Sequence, residues 1–508
     1  VADHVFLHAR RRPGAIAVMR GPTPITYGAL AQDLAAIIRT LGAFSLPPGA
    51  IAAIAHEDLY IQLLLVFGCE ALGIVTGSFR PQEGPECHAL VEMADIVFTT
   101  HRHPRATGLQ IELTPAWLAA ALADPPARRP RLVPAQPEDI LLICRSSGST
   151  GAAKRMTITH AAERFRMANQ RDPAHGLGLN RQSRYLTFMH FAVGITYRAA
   201  SNLLRLGGTF MFELAPEPGM PAPSMEKSLR EMRPTHSSLS PFQLRALLAN
   251  LPARATPLLP NLTIQGVGAK LPRDLRDAAL KNLAGRVEDR YGANETGAIG
   301  SVDETGILHL NLGIEAAVDG APGEIGPLRL RSPGMTTHYL NDPAATADMF
   351  RLLPGDATGK PWFYPGDLGC LIAPGRIQLA GRRNDVLNLG GRKIAATTLE
   401  AKLLAAIPLA DVAILQQPQS ATNPGPAILV VCAVPTPRIN PRDLRGLIAP
   451  LIDYPFQVQL RAHIPRTPEG KIQRAALQDA VFAAAGSSAT VPAAAASPTN
   501  RPAITSDT

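Results

Sequence analysis

The chain has 508 residues, 46% of them apolar and 18% charged, too long for one ordinary domain and too apolar for wholesale disorder. Its net charge of +9 suits anionic ligands such as nucleotides, carboxylates and phosphates. An aromatic content of 5% and the lack of a long Lys/Arg block argue against a nucleic-acid partner. Five cysteines (Cys69, Cys87, Cys144, Cys370, Cys432) are an odd number without a C-x-x-C pair, which argues against a disulfide framework and against a zinc site. The chain opens at Val1 with no signal-peptide pattern, so a cytoplasmic protein of a reducing compartment is expected.

In chain order, Thr26 caps a predicted helix whose apolar positions Leu30, Leu34, Ile37, Ile38 and Leu41 share one face. Pro47-Pro48-Gly49 ends that unit, Ile51–Ala55 reads as a short buried strand, Leu59–Leu72 as a helix, and Gly73–Val75 as the start of another strand. Gln62 and Glu70 interrupt the apolar stretch Leu59–Val75 as a membrane span but suit a buried helix, so no span is expected. The strand–helix rhythm recurs around Ile140–Cys144, His160–Gln170 and Tyr185–Phe188 and predicts an α/β layered architecture. From Gly320 to Leu379 short segments broken by Gly and Pro predict a small β-rich subdomain. A last unit carries a predicted helix (Thr397–Ala406), strands (Val412–Gln416, Ala427–Val434), a second helix (Pro441–Ile452) and a strand near Val458–Ile464. The expected organisation is an α/β N-terminal core over 1–380, a hinge at 381–385, a small α+β C-terminal domain over 386–485 and a disordered Ala/Ser/Pro tail over 486–508.

The segment Ser146-Ser147-Gly148-Ser149-Thr150-Gly151-Ala152-Ala153-Lys154 follows a predicted strand. Small residues let backbone N–H groups approach phosphate oxygens, and hydroxyls and a lysine add donors and charge. A Walker A loop needs Gly before the Lys and Ser/Thr after it; here Ala153 and Arg155 stand there. Taken alone, the segment reads equally as a flexible turn. Downstream stand Tyr291-Gly-Ala-Asn-Glu-Thr-Gly297, Tyr364-Pro-Gly-Asp-Leu-Gly369, Gly381-Arg-Arg-Asn-Asp-Val-Leu-Asn388 followed by Gly390-Gly391, and Pro465-Arg-Thr-Pro-Glu-Gly-Lys-Ile-Gln-Arg474. In this order the set resembles the adenylate-forming superfamily of acyl- and aryl-CoA synthetases, stand-alone adenylation domains and luciferases, over about residues 15 to 480.

The resemblance implies that a carboxylate attacks the α-phosphorus of ATP, giving an acyl-adenylate and pyrophosphate, and that a thiol then displaces AMP. ATP, Mg²⁺ and coenzyme A are the implied cofactors. Ser146, Ser147, Gly148, Ser149, Thr150, Gly151 and Lys154 would hold the phosphates, with Glu295 and Thr150 on Mg²⁺. Asn294 stands where the family usually has Thr and would still donate to an α-phosphate or acyl oxygen. Asp367 would accept from the ribose hydroxyls, Arg382 would reach the nucleotide, and Gly268, Ala269, Tyr291 and Gly292 would line the adenine and ribose site. Lys471 would act with Glu295 in catalysis as a positive clamp bridging carboxylate and α-phosphate.

The resemblance also implies a mobile C-terminal domain that rotates between half-reactions about Asn384, where the family has Asp or Lys. Gly390 and Gly391 would line the passage for the thiol. Arg392 and Lys393 would pair with coenzyme A phosphates or stay solvated, and Ala396 and Thr398 replace the family's Pro and Glu. His190, Phe191, Gly194, Ser240, Val267 and Ala293 would form the acyl pocket, His190 serving as a gate or carboxylate partner or else as a packed core histidine. Amino-acid-activating relatives place an Asp where this chain has Ala192; without it a buried ammonium would lack a partner. The expected substrate is therefore a non-amino acid, aryl or short to medium acyl. The expected acceptor is coenzyme A or a free carrier protein. A homodimer and a non-catalytic nucleotide-binding role remain open.

Overall fold

The structure is a computed structural model that describes residues 1–82, 84–146, 154–173, 176–213, 224–252, 255–389, 392–417, 428–437, 439–467 and 472–482. The expected tail at 486–508 lies outside them.

Two large sheets make up the N-terminal part. The first has six strands in the order Leu109–Glu112, Ile96–Thr99, Ile51–Ile54, Val75–Ser78, Ile140–Arg145 and Arg155–Thr159. The first five run parallel and the last turns back antiparallel. Thr26 caps the helix Tyr27–Gly42, its side chain accepting from the Ala29 N–H. The helix Leu59–Ala71 packs beside it so closely that a Cβ at Gly68 would lie 2.8 Å from Ile37. That helix is buried almost all round, including Gln62, whose Nε2 donates to the Ile54 carbonyl at 2.9 Å and to Ser78 Oγ at 3.0 Å. These bonds satisfy the buried Nε2 donors and tie the helix to two strand ends, while Oε1 has no partner among the described residues. Among the described residues no helix is long and apolar enough to cross a membrane.

The second sheet starts as a parallel α/β layer and continues as an antiparallel one. Ile16–Arg20, Thr209–Phe212, Arg184–Thr187, His236–Leu239, Leu259–Gly266 and Ala284–Ala293 pair parallel in that order. Beyond Ala284–Ala293 the sheet continues through Gly297–Val302, Ile307–Leu310, Arg376–Arg382, Asp367–Ala373 and Gly326–Arg331, each antiparallel to its neighbour. The β-rich stretch expected after Gly320 is this continuation. One apolar cluster fills the space between the layers, around Tyr27, Phe67, Phe98, Tyr185 and Phe210.

The C-terminal part is built on a three-stranded sheet, Leu409–Gln416, Leu429–Pro435 and Phe456–Leu460. The first pair is antiparallel and the second parallel. The helices Ala396–Ala406 and Arg474–Phe482 cover it, with separate apolar clusters around Leu403 and Leu477. The fold class is thus α/β, with a large sheet-rich N-terminal domain and a small C-terminal part. Several elements of this part differ from expectation: the helix Arg474–Phe482 was not foreseen, and the strand expected near Val458–Ile464 runs Phe456–Leu460. The single helix foreseen over Pro441–Ile452 is a short helix, Leu444–Ile448, between two 3-10 turns, Pro441–Asp443 and Ala449–Leu451. Pro450 has no N–H to continue the ladder.

Candidate active site

The arms of the Ser/Gly-rich loop are the hairpin strands Ile140–Arg145 and Arg155–Thr159. Ser146 and Lys154 close its base: the Ser146 N–H donates to the Lys154 carbonyl at 2.8 Å, and the Lys154 N–H to Ser146 Oγ at 3.1 Å. Ser147, Gly148, Ser149, Thr150 and Gly151 lie outside the described residues. Lys154 Nζ sits 5.1 Å over the Tyr339 ring, within cation–π range. The Tyr339 hydroxyl donates to Glu295 Oε1 at 2.8 Å. The base of the expected phosphate loop and the expected metal ligand thus both contact Tyr339, one over its ring and the other at its hydroxyl. Burial, and then the Glu295 carboxylate, push the Tyr339 hydroxyl far above its usual range, so it stays a donor.

Glu295 is buried, 7% exposed, in the turn between Ala284–Ala293 and Gly297–Val302. That turn is held from below by Arg166 on the helix His160–Arg171. Arg166 donates through Nη2 to the carbonyls of Asn294 and Glu295, both at 3.0 Å, and through Nε to that of Gly334 at 2.7 Å. The Thr336 N–H adds a bond to the Glu295 carbonyl at 2.9 Å. Burial, and then the nearby Arg198, lower the Arg166 pKa to about 10, which still leaves it charged at neutral pH. Asn294 Nδ2 donates to the Arg145 carbonyl at 2.8 Å, tying this turn to the end of the strand Ile140–Arg145. Gly292 has no room for a side chain, because a Cβ would lie 2.5 Å from the Gly297 carbonyl oxygen. A hard cation takes oxygen ligands. The buried Glu295 carboxylate fits that demand, and only its Oε1 carries a bond among the described residues.

Asp367 and Arg382 are cross-strand partners in one antiparallel pair. Arg382 Nε donates to Asp367 Oδ1 at 3.2 Å, and the Tyr291 hydroxyl makes a short hydrogen bond to Oδ2. Burial works against the Arg382 charge, but Asp367, Tyr291 and Asp385 outweigh it and raise its pKa. Burial and then Asp367 hold the Tyr291 phenol protonated. Each Asp367 oxygen keeps acceptor capacity, since a carboxylate oxygen has two lone-pair sites.

The expected acyl-pocket residues divide. His190 Nε2 bonds the His56 carbonyl at 3.0 Å, and its Nδ1 accepts from the Ala192 N–H at 3.1 Å. Both ring nitrogens are therefore used, and burial pushes the pKa down to about 4. Phe191 turns into the core between Phe67 and Phe210, at centroid distances of 6.5 and 6.1 Å. Ser240 is spent on capping the helix Pro241–Ala249, in a reciprocal bond with Gln243. Gly194 faces Asn294, whose Oδ1 would lie 3.8 Å from a Cβ at that glycine. The Val267 N–H donates to the Leu239 carbonyl at 3.1 Å, Gly268 takes a left-handed φ of +89°, and Ala269 beside it is exposed. Ala293 ends its strand against the main core.

Lys471, Gly390 and Gly391 lie outside the described residues, and Asn384 falls in the 3-10 turn Arg383–Asp385. Both flanks of Lys471 are firmly held. Arg466 binds both oxygens of Asp411 at 2.8 and 2.6 Å, and its guanidinium lies 5.2 Å over the Phe242 ring. Arg474 binds Glu400 at 2.8 and 3.0 Å and Asp385 at 2.8 Å. Sequence reasoning missed Arg166 and Tyr339. The run Ser332-Pro-Gly-Met-Thr-Thr-His-Tyr339, ahead of the capped helix Pro343–Met349, was the available signal for Tyr339; none marked Arg166.

The model of the AMP-binding enzyme family matches residues 5–340, and the chain belongs to that family of adenylate-forming ligases. It is 28% identical over 407 residues to the probable non-canonical nonribosomal peptide synthetase CymA of Salinispora arenicola, covering 75% of this chain but 5% of that protein. It is 25% identical over 505 residues to a feruloyl-CoA synthase of an Amycolatopsis species, covering 91% of this chain and 95% of the relative. Among solved structures, an anthranilate CoA ligase in complex with anthranoyl-AMP superposes with a TM-score of 0.79 at 19% identity, covering 96% of this chain and 98% of that one.

Proposed function

We propose that the chain is an AMP-forming acid–thiol ligase that uses Mg-ATP to activate a carboxylic acid without an α-amino group, aromatic by preference, and passes it to coenzyme A. The observation that carries the acid class is the turn Met189–Ile195. It contains no acidic residue, and His190 in it is neutral with both nitrogens engaged. An ammonium group entering there would find no counter-charge and would be costly to bury. An aryl acid brings no such charge. The near full-length match to a feruloyl-CoA synthase supports the same direction.

Bound Mg²⁺ would neutralise charge on the phosphates as the carboxylate approaches. Glu295 would hold it, Lys154 would lie against the leaving pyrophosphate, and Asp367 would take the ribose hydroxyls. Arg166 would keep Glu295 aimed, and Tyr339 would keep Glu295 and Lys154 from pairing directly. The loop carrying Lys471 would supply the remaining positive charge.

The test is pyrophosphate release with Mg-ATP against benzoates, phenylpropanoids, linear fatty acids and amino acids, with and without coenzyme A. Release with an aryl acid that accelerates with coenzyme A is expected. Release that stalls after one turnover and ignores coenzyme A would transfer the acceptor role to a carrier protein. That reading has its own support in the match to a segment of a peptide synthetase. Preference for an amino acid, or no release with any acid, would sink the proposal.

A further inference from the structure

We propose that Cys87, His88 and His103 form a site for a thiophilic divalent cation, zinc(II) by its geometry, which joins two loops at one end of the first sheet. Their ligand atoms, one sulfur and two imidazole nitrogens, lie within 4.8 Å of one another. The proposal is independent of the ligase reading.

The fold brings these residues together from two loops. Cys87 closes the 3-10 turn Pro85–Cys87, and His88 opens the helix His88–Met93. The buried Leu90 and Val91 of that helix anchor it in a small apolar cluster with Phe79 and Val97. His103 lies in the loop between the strands Ile96–Thr99 and Leu109–Glu112. Its ring meets Phe79 edge-on at 6.4 Å, and its backbone N–H donates to Gln110 Oε1 at 2.9 Å. Both loops are thus ordered by groups outside the cluster.

The distances suit a tetrahedral ion. Cys87 Sγ lies 3.6 Å from His103 Nε2. Zinc bonds of about 2.3 Å to sulfur and about 2.0–2.1 Å to nitrogen, at a tetrahedral angle, place sulfur and nitrogen about 3.5 Å apart. Since no pair exceeds 4.8 Å, closing on the ion needs roughly 1.5 Å of movement at most. One thiolate with two imidazoles is a borderline-soft set that favours zinc over magnesium or calcium, and the fourth position falls to water. On binding, the Cys87 thiol loses its proton to solvent. The His103 proton then belongs on Nδ1, so the long 3.3 Å contact from the Arg105 N–H to that atom is given up. The expectation of no zinc site came from the lack of cysteine pairs. An adjacent Cys-His plus a histidine on the next loop carries no such spacing.

The test uses the chelator-stripped protein titrated with cobalt(II), then with zinc(II). One equivalent of cobalt should give a thiolate-to-cobalt charge-transfer band that zinc abolishes, and one equivalent of zinc should raise the melting temperature. Cys87→Ser should remove the band. His88→Gln and His103→Gln should each weaken metal affinity by roughly tenfold or more, as loss of a ligand should cost at least as much as loss of an outer partner. If Cys87→Ser does not fold, the two histidine variants decide the matter on the same band. No band at one equivalent, a band that survives Cys87→Ser, or unchanged affinity in both histidine variants would overturn the site.

Discussion

Arg166 shows how much of the candidate site hangs on one buried cation. Its guanidinium satisfies three carbonyls from two segments that the chain separates widely, at Asn294–Glu295 and at Gly334. Replacing it by Met would take the donor from the Asn294 and Gly334 carbonyls, while the Glu295 carbonyl keeps the Thr336 N–H, and should cost about 2–6 kcal/mol. Arg166→Lys keeps the charge but not the fork, and should recover only part of that stability. Urea unfolding reads the stability, and pyrophosphate release should fall more in kcat than in the KM for ATP; two variants with wild-type values on both counts would refute the positioning role. Asp367 makes a second test. Asp367→Asn removes the charge-assisted acceptor and should raise the KM for ATP by roughly ten- to a hundredfold, whereas an unchanged KM would take Asp367 out of the nucleotide site. Glu295 and Asp367 were legible in the sequence because short neighbouring motifs surround them. Arg166 was not, because its partners lie 128 to 168 residues away and nothing local distinguishes it from a helix-surface arginine.

At the scale of elements, the contact between the two sheets matters most. His190, in the turn after the strand Arg184–Thr187, bonds the carbonyl of His56, just past the strand Ile51–Ile54 of the other sheet. Burial lowers its pKa from 6.5 to about 4. The unfolded chain therefore binds a proton between those values that the folded chain refuses. The sign follows: this contribution is complete above about pH 6.5 and is lost as pH falls toward 4, by up to about 3 kcal/mol. Burial also lowers His56 and His236, so the wild type alone cannot isolate His190. His190→Gln should show a shallower loss of urea midpoint between pH 7 and pH 5, and an identical slope would count against the bridge. Elements with a local cause were legible, such as the helix capped by Thr26 and the buried helix beginning near Leu59. The helices Ala2–Arg11 and Arg474–Phe482 were not read. Each is short, with only two or three buried positions, and its docking comes from surfaces far along the chain.

The molecule as a whole holds the loop bearing Lys471 by both ends. Arg474 ties one end to Glu400 and to Asp385 in the proposed hinge, while Arg466 ties the other to Asp411. Arg466 also stacks on Phe242, the second residue of the helix that Ser240 caps. This contact joins the C-terminal part to the wall proposed for the acyl pocket, and so favours the one arrangement of the two parts in which Arg466 and Phe242 meet, proposed here as the adenylate-forming one. A contact of this kind at a half-exposed ring contributes about 0.5–1 kcal/mol. If the proposed rotation exists, Phe242→Ala should slow adenylate formation by about two- to fivefold and leave thioester formation from supplied acyl-adenylate unchanged. Lys471→Ala should have the same selectivity at far greater depth, roughly a hundred- to a thousandfold on the first half-reaction. Single-turnover measurements of each half-reaction separate the outcomes. Equal losses in both half-reactions for Lys471→Ala would refute its role as a charge clamp. A Phe242→Ala variant slowed in both would mean that the ring supports the pocket wall rather than the orientation of the two parts.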